Sequence, residues 1–228
     1  DVSLVGSEMC IRDRLKADYA FRLAVRHGHL RVLQWMKKEF GLTKEDARAG
    51  DNYALRWAAE NGRLDVLQWM RDEDKGFGLT ADDARARGNW ALLVAARNGH
   101  LKVLQWMTKV FGLTKEDARA SDNYALRWVA RNGHLEVLKW MRDKDKGFGL
   151  TAEDARARDN EALGWAADNG QLEVLQWMRD EDKGFGLTAE DARADNNYAL
   201  QCAAQNGRLD VLQWMRDEDK GFGLTAED

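Results

Sequence analysis

Four kinds of side chain in this sequence could do chemistry, and spacing decides what each is expected to do. His27 and His29 flank Gly28, and His100 and His134 recur at the place of His29 in later copies of one motif. Imidazoles can hold a metal or move a proton. Here no Cys or carboxylate cluster stands beside them at ligand spacing, and Arg63, Gln171 and Arg208 replace the His in other copies, so a structural role is expected. The run from Asp72 to Asp83 partly mimics a calcium loop, with acids at its first, third and twelfth positions. Phe77 stands where the sharp turn needs Gly, and the last ligand is Asp rather than a bidentate Glu, which points to a solvated helix end.

The tryptophans form two columns, Trp35, Trp69, Trp106, Trp140, Trp177 and Trp214, then Trp57, Trp128 and Trp165. Such rings could cage a methylated cation. They lie inside a helical apolar face, so a core ladder is expected. Arg48, Arg85, Arg87, Arg119, Arg156, Arg158 and Arg193 could align into a positive edge. Each has an acid three or four residues upstream, such as Glu45 for Arg48 or Asp154 for Arg158, so local pairing is expected instead. Nucleophile–base sets and paired catalytic carboxylates do not appear. Gly76-Phe77-Gly78 lacks the third Gly and the preceding strand of a dinucleotide fingerprint. The chain reads as no enzyme, with no cofactor and no metal.

The residues that must position these side chains repeat. Gly-x-Leu-x-Val-Leu-x-Trp-Met occurs six times, at Gly28–Met36, Gly62–Met70, Gly99–Met107, Gly133–Met141, Gly170–Met178 and Gly207–Met215. The starts are 34, 37, 34, 37 and 37 residues apart, which is the signature of a stacked array. Residues 15–228 read as a single repeat domain of six units, about 17–50, 51–87, 88–121, 122–158, 159–195 and 196–228. Residues 1–14 match no part of the repeat and look like adapter read-through. Both ends look cut, so a fragment of a longer array is expected.

In the second unit, Asn52 to Gly62 reads as helix A, with Asp51 or Asn52 as N-cap and Gly62 as a left-handed stop. Leu55, Ala58 and Ala59 share one face, and Tyr53 and Trp57 form an aromatic strip beside it. Helix B is expected from Arg63 or Leu64 to about Asp74, antiparallel to helix A after a very short turn. Phe77 and Leu79 then plug the connection into the core. Thr80-Ala81-Asp82-Asp83 reads as a capping box opening a short third helix, about 80–86. The long spacing adds three residues between helix B and Phe-Gly-Leu, nearly one turn. Thr-x-x-Asp recurs at Thr43, Thr114, Thr151, Thr188 and Thr225.

Ala58-Ala-Glu-Asn-Gly-Arg-Leu-Asp-Val-Leu67 and Ala130-Arg-Asn-Gly-His-Leu-Glu-Val-Leu138 resemble the core of the ankyrin repeat. The resemblance implies an all-α, ankyrin-like helical repeat solenoid with two antiparallel helices per unit. Tyr53-Ala-Leu-Arg56 stands where the family has Thr-Pro-Leu-His. Gly-Phe-Gly-Leu-Thr-x-x-Asp-Ala-Arg replaces the segment that forms its β-hairpin finger, so a short third helix or turn is expected there. It is similar to the divergent arrays of large DNA viruses and unicellular eukaryotes. The resemblance also implies that the His between the helices bonds neighbouring backbone, and that the concave side is built from helix A and the fingers.

Composition narrows the partner. The net charge of −4, from 35 basic and 39 acidic residues, gives no global pull toward nucleic acid or anionic membrane. No run reaches the length of a membrane span. Cys10 and Cys202 lie in unrelated contexts and imply no disulfide framework, so a reducing, cytoplasmic setting and a monomer are expected. In a repeat array, recognition sits where the units differ. One helix A column reads Arg22, Arg56, Leu93, Arg127, Gly164, Gln201, and another reads Arg26, Glu60, Arg97, Arg131, Asp168, Gln205. These twelve are the expected partner-binding residues, exposed and Arg-rich in units one to four, facing a protein with an acidic surface. The expected function is a protein–protein interaction scaffold. The alternative is the substrate-recognition arm of a larger enzyme or ubiquitin-ligase-type assembly. A base-reading nucleic-acid solenoid fits the charge poorly.

Overall fold

The computed structural model describes residues 18–225. The stretch 1–14 and the Asp228 end of the last Thr-x-x-Asp lie outside them. Residues 18–27 form α1. Then follow α2 (Leu30–Phe40), α3 (Lys44–Glu60), α4 (Leu64–Arg71), α5 (Ala81–Arg97), α6 (Leu101–Phe111), α7 (Lys115–Ala118) and α8 (Ala120–Arg131). The series closes with α9 (Leu135–Arg142), α10 (Ala152–Ala155), α11 (Ala157–Asp168), α12 (Leu172–Arg179), α13 (Ala189–Gln205) and α14 (Leu209–Arg216). No strand occurs among the described residues, and none of their helices is long and apolar enough to cross a membrane.

Each helix A ends on a left-handed glycine. In unit two Gly62 has φ +68°, Gly62 N–H donates to Ala59 O, and Arg63 N–H to Ala58 O. This pair of bonds closes the helix end and turns the chain back into helix B. The small residues expected at the helix A face are buried, with Leu55, Ala58 and Ala59 at most 1% exposed. Helix A of each unit packs on helix A of the next, as α3 on α5, α5 on α8, α8 on α11 and α11 on α13. Phe77 and Leu79 are buried as expected.

The entry to helix A differs from the expected N-cap. Gly50, Asp51 and Asn52 all have φ between 57° and 60°, so they form a left-handed turn inside α3 and cap nothing. The turn recurs at 87–89, 121–123, 158–160 and 195–197. The third helix runs only from the capping box to this turn. Its capping boxes form as expected at Thr43, Thr80, Thr114, Thr151 and Thr188.

The long spacing also works differently from the expectation. Helix B is shorter in the long units, ending at Arg71 rather than near Asp74, whereas in the short units it runs on to Phe40 and Phe111. The additional residues form a loop, 72–76, that folds back over the helix. Asp72 Oδ1 accepts from Asp74 N–H and Lys75 N–H at 3.0 and 2.7 Å, and Trp69 Nε1 donates to Lys75 O at 3.0 Å. The loop therefore seals a tryptophan. Trp69, Trp140, Trp177 and Trp214 are 6–8% exposed, whereas Trp35 in a short unit is 55% exposed and Trp106 is half-buried. The Trp column is sealed into the core in the long units, while Trp106 packs against the core from its edge and Trp35 is exposed.

Candidate interaction surface

Helix A carries the two expected columns, and most of their cations are stacked rather than free. Arg22 lies 4.8 Å from the Tyr53 ring of the next unit, and Arg26 5.3 Å from Trp57. Arg97 pairs with Glu60 at 2.9 Å and covers Trp128 at 5.5 Å. Arg131 lies between Trp128 at 4.9 Å and Trp165 at 5.5 Å. Guanidinium planes stack on aromatic faces and keep their edges for hydrogen bonds. The second tryptophan column thus belongs to the same strip as the arginines, half-buried beneath them.

Three column members are buried, against the expected exposure. Arg127 is 5% exposed, ion-paired with Glu161, bonded to Ser121 O and flanked by Tyr124 and Trp165. Leu93 is 8% exposed. Gly164 is buried beneath the Tyr198 ring. Their variation follows packing against the next unit. Arg22, Arg56, Glu60, Arg97, Arg131 and Asp168 are half-buried, and only Arg26, Gln201 and Gln205 of the twelve are exposed.

The turn histidines bond backbone of the preceding unit. His100 Nε2 donates to Glu60 O and His134 Nε2 to Arg97 O, both at 2.9 Å. Where the residue is Arg or Gln it makes the same bond: Arg63 to Arg26 O, Gln171 to Arg131 O, Arg208 to Asp168 O. Any donor of suitable length serves, which explains the interchange. Burial pushes the His134 imidazole below its ordinary value, against the opposing bond to Arg97 O.

Arg48, Arg85, Arg119 and Arg156 of the third segment pair with an acid of the next unit rather than with the acids upstream of them. Arg48 Nε and Nη2 reach Asp83 Oδ1 and Oδ2 at 2.7 and 3.0 Å. Arg85 grips Asp117, Arg119 grips Asp154 and Arg156 grips Asp191 in the same two-point way. Each Asp is also the capping-box acid of its own unit, as Thr80 N–H and hydroxyl donate to Asp83 Oδ2 at 2.8 and 3.0 Å. The edge is a ladder of clamps rather than a field of unpaired positive charge. Two outer arginines, Arg87 and Arg158, reach back instead to Asp51 at 3.0 Å and Asp122 at 3.5 Å, and Arg158 also pairs with Glu161 at 3.4 Å.

A family model of ankyrin repeats matches residues 21–117, 55–154, 92–191 and 126–228. The chain belongs to the ankyrin repeat family. No curated protein matches it. Ankyrin repeats are in general protein–protein interaction modules. In this ankyrin array the short third helix and left-handed turn stand in place of a hairpin finger.

The clamps set the acid sensitivity of the array. Burial alone would raise the Asp83 carboxyl, but Arg48 and Thr80 outweigh it and hold the carboxyl below the ordinary carboxylate range. The same balance lowers Asp117, Asp154 and Asp191. A folded value below the unfolded one means that the unfolded chain takes up protons first. The stabilisation is complete above the ordinary Asp value of about 4 and is lost as pH falls through the folded values. Helicity followed by circular dichroism from pH 7 to 2 is expected to hold to about pH 4 and then fall. In Arg119→Ala, which frees Asp154, the loss of stability with acid should be shallower; an unchanged profile would remove the clamp as its source.

Proposed function

We propose that residues 15–228 act as one binding domain that docks a partner protein through helix A and the adjoining fingers, with no catalysis. The observation that carries this is the strip of Arg22, Arg26, Arg97 and Arg131, stacked on Tyr53, Trp57, Trp128 and Trp165 of the following units. The stacking orders the guanidinium groups before a partner arrives, and aromatic and Arg residues dominate binding hot spots. The strip, with Arg56, belongs to units one to four. It fades where Gly164, Asp168, Gln201 and Gln205 follow, so the partner presents an acidic patch to the first four units. The free thiol of Cys202 fits a reducing, cytoplasmic compartment. The array works as a monomer.

The triple variant Arg56→Glu, Arg97→Glu, Arg131→Glu tests this. Its capture of partner proteins should fall at least about tenfold relative to wild type, with helicity retained, because like charges then face the partner. The same captured set at the same yield would sink the reading.

A further inference from the structure

At one helix A position units two, four and six send a side chain back to the left-handed turn. Arg56 donates to Gly50 O at 2.8 Å, Arg127 to Ser121 O at 3.0 Å and Gln201 to Asn196 O at 2.6 Å. Unit five has Gly164, and the Tyr198 ring fills the place, with Cδ1 at 2.4 Å from where a Cβ would stand. Unit three has Leu93, which carries no donor and is too short to span to the turn. A cavity of about 530 Å³ opens there, lined by Leu93 and the rings of Trp90, Tyr124 and Trp165, with Arg87 and Arg158 and the acids Asp122 and Glu161 alongside. Trp90 is itself an exception to the pattern, since the matching residues are Tyr19, Tyr53, Tyr124, Glu161 and Tyr198. It is 38% exposed.

We propose that this cavity is a docking pocket for one bulky apolar side chain, aromatic by preference, carried on an acidic segment of the partner protein. The proposal rests on the reading that helix A and the fingers face a partner. Three aromatic rings beside Leu93 favour an inserted ring, which buries apolar area and meets ring edges. The charge alongside selects the flanking residues. Arg158 is held between Asp122 at 3.5 Å and the half-buried Glu161 at 3.4 Å and neutralises these acids of the lining, whereas Arg87 and its partner Asp51 are 58% and 59% exposed. A pair so open to water is weak, so an incoming carboxylate competes for the Arg87 guanidinium without stranding a buried charge. Arg127, by contrast, is committed to Glu161 and Ser121 and forms part of the wall.

Leu93→Arg is the decisive variant, because it restores the residue of units two and four and fills the cavity with a side chain whose place in the fold is already demonstrated by them. The probe is a fluorescein-labelled pentapeptide with a phenylalanine between two acidic pairs, followed by fluorescence polarisation. Wild type should bind it, and Leu93→Arg should weaken binding at least about tenfold while circular dichroism stays unchanged. A peptide with Ala for the phenylalanine should lose a similar factor, and one with amides for the acids should lose affinity that Arg87→Ala no longer responds to. No binding by wild type up to about millimolar peptide, equal binding by Leu93→Arg, or indifference to the phenylalanine overturns the pocket. Self-association that Leu93→Arg abolishes would assign the cavity to a second copy and equally overturn it. Loss of partner capture by the triple Glu variant alongside failed peptide binding removes the pocket and leaves the docking strip. Peptide binding with capture unchanged does the reverse.

Discussion

Gly147→Ala is expected to destabilise the array by about 3 kcal/mol, and Gly149→Ala by only about 1–2 kcal/mol. The order runs against conformational freedom, since Gly149 has φ +65° and Gly147 is not in the left-handed region. Space decides it. A Cβ on Gly147 would stand 1.6 Å from Trp140 O and 3.0 Å from Asp143 O, both backbone. A Cβ on Gly149 would meet Lys144 atoms at 3.5–3.6 Å, an ordinary contact. Relief at Gly147 requires the whole loop to move. That loop is held by Gly147 N–H to Asp143 O at 3.1 Å, Asp145 and Lys146 N–H to Asp143 Oδ1 at 2.9 Å, and Trp140 Nε1 to Lys146 O at 2.8 Å. Urea denaturation midpoints with far-ultraviolet circular dichroism compare the two. Equal losses would mean that the close approach over Trp140 is wrongly placed.

Arg119→Ala is expected to lower the urea midpoint well beyond the shift caused by Arg87→Ala, although both remove one arginine from an ion pair. Asp154 is 4% exposed, and without Arg119 it keeps Thr151 and a distant Lys115 Nζ at 3.7 Å. A buried carboxylate deprived of its bidentate partner loses far more than a solvated one. Arg119 itself is 39% exposed, which keeps the loss below that for a fully buried pair. A double-mutant cycle with Asp154→Asn separates the pair from the capping box, and a coupling energy near zero would dissolve the clamp.

Helix identity and the repeated core were legible because both rest on period. Leu55, Ala58 and Ala59 take their burial from spacing within one helix, and the capping boxes need a span of only four residues. The clamps were not legible by the same route. Arg48 has an acid at Glu45, so the short-range rule is satisfied locally and hides the partner at Asp83. The signal was the joint recurrence of Arg and capping Asp one unit apart. The left-handed turns were misread as N-caps for a chemical reason. Asn, Asp and Gly serve both, by accepting from helix N–H groups in one case and by tolerating positive φ in the other. Asp51-Asn52 carries no mark that separates them. In the candidate surface, exposure was the weak inference: a residue varied between units at Leu93, Arg127 and Gly164 because its neighbour varied too.

The clamp has a direction. Its guanidinium is encoded in one unit and its carboxylate in the next, so the junction is heterologous and does not close on itself. An in-frame duplication of one whole unit therefore supplies a donor for the acceptor above and an acceptor for the donor below. A duplication that is not a whole number of units leaves the new junction mismatched. The loop that separates the 34- and 37-residue spacings lies outside the clamp, so units of either length join through the same arginine and aspartate. Gene-level growth of such a chain is quantised in units, and its grammar is written in one arginine and one aspartate.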